Sequence, residues 1–165
     1  MTSTTLPLVF SVTSGKGGVG KTNISVNLAC ELTKMGKRVV ILDADLGLAN
    51  VDIILGMAPK LNLFHLFNEG MTLEKILCDT PYGFRILPAA SGVSDMVNLT
   101  TGQKLDLLEA MDYLEGGVDH LIVDTGAGIN DNIELGTLIE AGPLPGKLHD
   151  HLQLLIEEGV LEFVT

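Results

Sequence analysis

The run Ser14-Gly15-Lys16-Gly17-Gly18-Val19-Gly20-Lys21-Thr22 sets Gly15 and Gly20 on either side of four residues and follows them with Lys21 and Thr22. That spacing suits a loop that wraps phosphate. Glycines at 15, 17, 18 and 20 let successive backbone N–H groups turn inward around phosphate oxygens, where side chains would collide. Lys21 supplies a point charge for the β- and γ-phosphates, and the Thr22 hydroxyl is placed to ligate Mg²⁺. The apolar run Leu8-Val9-Phe10-Ser11-Val12 stands in front of the loop, and a helix-like segment, residues 23–35, stands behind it. A helix starting there aims its N-terminal N–H groups and the positive end of its dipole at the same anion. A glycine-rich turn ahead of a helix is the plainer alternative; the strand–loop–helix setting favours the phosphate loop. Gly15, Lys16, Gly17, Gly18, Val19, Gly20, Lys21, Thr22 and Asn23 are therefore expected to bind a nucleoside triphosphate.

Two apolar strands end in aspartate, at Asp43 and Asp124. In an open α/β sheet, ligands gather at the carboxyl ends of strands, where both carboxylates would lie. Mg²⁺ keeps several waters and takes one or two carboxylates plus phosphate oxygens. Asp124, after Leu121-Ile122-Val123, fits the direct acidic role, and Asp43 could share the metal's water shell. A strand-end aspartate also serves as a helix cap or turn residue, but a phosphate loop in the same chain favours the metal. Thr22, Asp43 and Asp124 form the expected Mg²⁺ set.

The elements that must hold these groups follow a strand–loop–helix–strand rhythm. Gly36 stops the first helix, and Arg38-Val39-Val40-Ile41-Leu42-Asp43 is a strand that completes a βαβ unit. Residues 51–55 and 61–68 are short helix candidates, and residues 72–77 suggest another turn or two. Phe84-Arg85-Ile86-Leu87-Pro88 reads as a strand ended by proline. Leu105, Leu107, Leu108, Met111 and Leu114 fall at helical spacing, closed by Gly116-Gly117, and His120-Leu121-Ile122-Val123-Asp124 is a buried strand. Strands separated by helices imply an α/β fold with a doubly wound, mostly parallel sheet.

Composition agrees. A chain of 165 residues is one domain with a real core. Its 46% hydrophobic content and mean hydropathy of +0.38 fit strands covered on both faces. No apolar run approaches the roughly 18 residues of a membrane span, and residues 1–7 lack the features of a secretory signal. The expected location is the cytoplasm. Cys30 and Cys78 lack C-x-x-C spacing and read as small packing residues, which weakens an iron–sulfur role. The formal charge of −11 is uneven: residues 106–165 carry thirteen acidic side chains and only Lys147 as a base. Such a half repels nucleic-acid phosphate and anionic lipid, leaving other proteins as the expected partners.

Lys16 narrows the reading. The run Lys16-Gly17-Gly18-Val19-Gly20-Lys21-Thr22 resembles the deviant phosphate loop of the MinD/ParA ATPases, whose first lysine reaches across a dimer interface to the partner's phosphates. Where a cation supplied in trans has been measured, it is worth about 10³–10⁵ in rate. A solvated loop lysine is the alternative. Asp43-Ala44-Asp45-Leu46-Gly47-Leu48-Ala49-Asn50-Val51-Asp52 is similar to the first switch of the MinD-like group, and within it to the flagellar-number regulators of the FlhG/FleN family. The resemblance gives Asp45 the role of orienting the nucleophilic water, with Lys16, as a catalytic residue. Asp124-Thr125-Gly126-Ala127-Gly128-Ile129 resembles the second switch, a loop with glycine freedom at 126 and 128. Leu61-Asn62-Leu63-Phe64-His65-Leu66-Phe67 and Arg85-Ile86-Leu87-Pro88-Ala89-Ala90-Ser91-Gly92 also resemble the flagellar branch, as do residues 108–128.

The resemblance runs over residues 8–132 and stops after Asn132. It implies further strands with adenine contacts, a basic amphipathic helix that docks the ATP-bound dimer on a membrane, and an N-terminal extension that stimulates a partner GTPase. Residues 133–146 instead contain Pro143 and Pro145. In residues 147–158, Leu148, Leu152, Leu155 and Ile156 share a helical face opposite Asp150, Glu157 and Glu158, which suits core packing or a protein contact better than a membrane. His149 and His151 diverge on a helix and make a poor metal pair. The expectation is a phosphate-loop core over residues 1–132 and a divergent acidic tail over 133–165, in a truncated or frame-altered family member lacking the C-terminal strands.

The resemblance implies an Mg²⁺- and ATP-dependent ATPase that dimerises with nucleotide and acts on flagellar number through the flagellar GTPase or switch-complex components. A ParA-type partition ATPase riding DNA, and a nucleotide-binding protein without turnover, are the alternatives.

Overall fold

The structure is a computed structural model that describes residues 7–46, 48–90, 100–114 and 116–127. Among the described residues five strands form one sheet: β1 (Leu8–Ser14), β2 (Val39–Asp43), β3 (Cys78–Asp79), β4 (Arg85–Leu87) and β5 (His120–Ala127), in the order β1-β5-β2-β4-β3. All neighbours are parallel except β3, which runs antiparallel to β4. The helices are α1 (Lys21–Lys34), α2 (Val51–Ile54), α3 (Leu63–Glu69), α4 (Leu73–Ile76) and α5 (Thr101–Met111), the last followed by a 3₁₀ turn at Asp112–Leu114. The doubly wound, mostly parallel α/β architecture expected from the sequence is present.

Alternation along the strands makes two cores. Phe10, Val12, Val39, Ile41, Ile86 and Ile122 face one side and meet Val26, Ala29 and Leu32 of α1 and Val51 of α2. Val9, Val40, Leu42, Leu87, Leu121 and Val123 face the other and meet Leu63 of α3, Leu73 and Ile76 of α4, and Leu107 of α5. Burying each such side chain contributes about 1.5–3 kcal/mol. Strand pairing demands parallel neighbours covered on both faces, and the near-continuous apolar runs of β2 and β5 supply them.

Strand order carries the main surprise. The β1–α1–β2 unit does not pair β1 with β2; β5 lies between them, with Val12 opposite Asp124 and Asp43 opposite Asp124. The chain's two acidic strand ends are thereby neighbours at one edge, beside the loop that leaves β1. At the opposite edge Arg38 clamps β2 to β5. Its guanidinium donates to Asp119 Oδ1 at 2.7 Å and to Gly116 O at 2.6 Å, and its backbone N–H donates to Asp119 Oδ2 at 2.7 Å. The His120 ring stacks on Phe10, with centroids 5.6 Å apart.

Other elements shift modestly from expectation. α1 begins at Lys21, directly after the loop, and ends where Gly36 turns the chain and the Lys37 N–H reaches the Leu32 carbonyl at 3.0 Å. α5 begins at Thr101 rather than near Leu105, because Thr100 and Gln103 cap one another: Gln103 N–H donates to Thr100 Oγ1 and Thr100 N–H to Gln103 Oε1. The segment expected as a second-switch loop is strand as far as Ala127, since Thr125 Oγ1 donates to Val12 O at 2.8 Å and β5 pairs again with β1 beyond a bulge. Among the described residues no helix is long and apolar enough to cross a membrane. The tail over residues 133–165, with Leu148, Leu152, Leu155, Ile156, His149 and His151, lies outside the described residues, as do Gly128 and Ile129.

Candidate functional site

The loop between β1 and α1 is exposed from Gly15 to Val19 and turns abruptly into the helix. Gly18 and Gly20 sit at φ +72° and +94°, the left-handed region that a β-carbon disfavours, so glycine is required there by the backbone itself. Gly15 is different. Its φ is ordinary and a Cβ added to it meets nothing within 4 Å. Nothing in the protein's own packing asks for glycine at 15, whereas an oxyanion drawn against the backbone would. Lys16 and Asn23 are exposed, one on the loop and one in the first turn of α1, and Gly17 and Val19 are exposed between them.

Lys21 is the residue on which the loop closes. Although a lysine at the start of a helix, it is only 8% exposed, because its side chain runs back under the loop. Its Nζ donates to Ser14 Oγ at 3.2 Å and to Lys16 O at 3.4 Å, both long bonds to neutral oxygens, while Ser14 Oγ donates to Lys16 O at 2.6 Å. Among the described residues this buried ammonium hydrogen-bonds only to neutral acceptors at long range, which leaves capacity that a phosphate against the loop would fill.

Opposite the loop stand the strand-end acids. Asp124 is 1% exposed, and its Oδ1 accepts from Ser25 Oγ of α1 at 2.7 Å. Burial pushes its carboxyl above the usual carboxylate range; the Ser25 and Thr22 hydroxyls and the Lys21 ammonium oppose that rise, and the Asp45 charge adds to it. Asp43, also 1% exposed, accepts from the N–H groups of Asp45, Asn50 and Val51, each at 3.2 Å. Burial pushes its carboxyl up to about 7, the Asp124 charge adding to the rise against those N–H groups. Its oxygens thus serve the start of α2 and the segment after β2.

Asp45 is half-buried, and its Oδ1 accepts from Leu48 N–H at 3.2 Å. It rests directly on Gly126: a Cβ built there would stand 3.3 Å from both Asp45 Cγ and Oδ1. The two segments expected as switches therefore touch.

The structure brings Thr22, Asp43, Asp45 and Asp124 together at the carboxyl edge of the sheet, facing the loop that holds Gly15 to Lys21. It leaves Lys16 and Asn23 outward. Sequence reasoning did not single out Ser14, Ser25 or Thr125, which tie the loop, the helix and β5 to one another. Ser25 carried a signal, being a polar residue at the spacing of the buried α1 face Ser25-Ala29-Leu32. Among the described residues no three His, Cys, Asp or Glu side chains gather to hold a metal. A magnesium ion held by a hydroxyl, a carboxylate and phosphate oxygens needs no such cage, so the residues present fit it.

The profile of the CobQ/CobB/MinD/ParA nucleotide binding domain matches residues 10–154. The chain belongs to this family. The match runs past Asn132, beyond the resemblance over residues 8–132. Family members similar to it include the antiactivator FleN of Pseudomonas aeruginosa, 50% identical over 125 residues that make up 76% of this chain and 45% of that one. The flagellum site-determining protein YlxH of Helicobacter pylori is 40% identical over 119 residues, 72% of this chain and 40% of that one. The chain spans less than half the length of these two relatives. Among solved structures, the Pyrococcus furiosus cell division ATPase MinD superposes with a TM-score of 0.65 at 27% identity, covering 78% of this chain and 54% of that one. The septum site-determining protein MinD of Pyrococcus horikoshii, solved with Mg-ADP, gives a TM-score of 0.67 at 26% identity, covering 94% and 67%.

Proposed function

We propose that this chain is the nucleotide-handling part of an ATP-driven dimerisation switch that hydrolyses ATP and regulates flagellar number or placement. The buried Lys21 ammonium, incompletely satisfied beneath a glycine loop and facing Asp124, is the observation that carries the reading. Gly15 to Val19 and the first turn of α1 bind the polyphosphate through backbone N–H groups, and Lys21 neutralises its β- and γ-oxygens. Thr22 and Asp124 are the residues that hold magnesium, with Asp43 acting on its water shell. When bound, the ion would offset the negative charge that develops on the phosphate oxygens.

Asp45 orients a water in line with the γ-phosphorus. Attack forms the new phosphorus–oxygen bond and breaks the bond to the β–γ bridging oxygen, giving ADP and inorganic phosphate. Positioning and charge stabilisation dominate such transfers, so the placement of Asp45 is what counts. Lys16, exposed on the loop, reaches the phosphates of a second copy. Its exposure and the sequence likeness to FleN and YlxH support this reading, and the name of the flagellum site-determining protein YlxH supports flagellar assembly proteins as partners.

Hydrolysis and the ATP-dependent shift from monomer to dimer, measured together, test the proposal. Lys16→Ala is expected to bind nucleotide normally yet lose dimerisation or turnover. Unchanged turnover in that variant would remove the dimer from the mechanism, and absence of turnover in the unaltered chain would remove the enzyme.

A further inference from the structure

Ser25 is fully buried in the second turn of α1, on the face that carries Ala29 and Leu32 into the apolar core. A serine inside a helix ordinarily returns its hydroxyl to the carbonyl one turn back. Ser25 does otherwise: its Oγ donates at 2.7 Å to Asp124 Oδ1, 99 residues away in sequence, on the central strand of the site. One turn earlier on the same helix, the Thr22 hydroxyl also acts on the Asp124 carboxylate. The helix thus presents two hydroxyls to one buried acid.

We infer that Ser25 is a positioning residue: by holding Asp124 Oδ1 it fixes the plane of that carboxylate beside Thr22, and so sets how tightly the site takes magnesium with its nucleotide. The inference rests on the proposed magnesium–nucleotide site. A carboxylate free to rotate in a buried site would have to be reoriented each time the ion binds. A hydroxyl bond to one oxygen leaves the other aimed, and losing a partner of this kind typically weakens metal affinity by about 10–100-fold. Among the described residues the Ser25 hydroxyl bonds to Asp124 and to no group of the loop, so nucleotide binding without metal should not depend on that hydroxyl.

Binding of a fluorescent ADP analogue, titrated with Mg²⁺ and repeated in EDTA, separates the two dependencies. Ser25→Ala should raise the Mg²⁺ concentration for half-maximal tightening by roughly tenfold, at the low end of that range, with affinity in EDTA unchanged. Ser25→Thr, which keeps the hydroxyl, should return the Mg²⁺ dependence to within about threefold, and in an Asp124→Asn background Ser25→Ala should add nothing. An unaltered Mg²⁺ dependence in Ser25→Ala would overturn the inference, as would an equal loss of affinity in EDTA, which marks a merely structural role. Failure of the unaltered chain to show any Mg²⁺-linked binding would instead overturn the site itself.

Discussion

Gly126→Ala is a one-carbon test of how closely Asp45 must be placed. Gly126 has no positive φ, so alanine introduces no backbone strain; the only consequence is steric. The new Cβ would stand 3.3 Å from Asp45 Cγ and Oδ1, closer than an ordinary carbon–carbon or carbon–oxygen contact. The strand behind Gly126 is held by Thr125 Oγ1 on Val12 O, whereas Asp45 is held mainly through Leu48 N–H at 3.2 Å, so the aspartate yields. A displacement of about 0.3 Å follows. If a 1 Å misplacement of a reacting geometry costs about 10²-fold, this shift costs roughly three- to tenfold in kcat. The loop, Lys21 and Thr22 are untouched, so nucleotide affinity should not move. Steady-state ATP hydrolysis, with affinity measured separately by a fluorescent nucleotide, resolves the two. Undiminished kcat in Gly126→Ala, or a fall in affinity that matches the fall in kcat, would refute the reasoning.

Three other outcomes are expected. Lys21→Met should lower ATP affinity by about 10–150-fold, the worth of one charge-assisted bond, while leaving the nucleotide-free thermal midpoint unchanged or higher because a buried charge is removed; calorimetry and a melt check both. Leu32→Ala, emptying a side chain that is 0% exposed between α1 and the sheet, should destabilise by about 2–5 kcal/mol in urea unfolding. The Arg38 guanidinium holds the Asp119 carboxyl down to about 2, below its unfolded value, so the bond stabilises the fold above about pH 4 and is lost as pH falls towards 2. Asp119→Asn should therefore be less stable than the unaltered chain by about 1 kcal/mol at pH 7, the worth of a partly screened pair, with the gap closing in acid.

What was legible in the sequence was what is local. Gly15 to Thr22 are consecutive, so their chemistry could be read without knowing the fold, and Asp43 and Asp124 each close an apolar strand. Their adjacency could not be read: it follows from β5 entering between β1 and β2, and nothing in the β1–α1–β2 run announces that insertion. The Ser25–Asp124 bond and the Asp45–Gly126 contact are hidden for the same reason, being made by residues far apart in the chain. β3 is too short, at Cys78–Asp79, to show a period of two. The start of α5 was missed for a different reason. Apolar spacing points to Leu105, whereas the start is set by the polar capping pair Thr100 and Gln103 in the run Thr100-Thr101-Gly102-Gln103, which an apolar period does not register. Thr125 and Gly126 read as loop because glycine suggested mobility, yet a bulge keeps β5 paired with β1 through Ala127.

The central claim is that the amides of residues 15–20 and the Lys21 ammonium enclose a magnesium-bound polyphosphate. Isothermal titration of the folded chain with ADP and with a non-hydrolysable ATP analogue, each with Mg²⁺, tests it most directly. Saturable binding of one nucleotide per chain, abolished or strongly weakened in Lys21→Met, is the predicted result. No heat of binding from either nucleotide, on material that melts cooperatively, would contradict it.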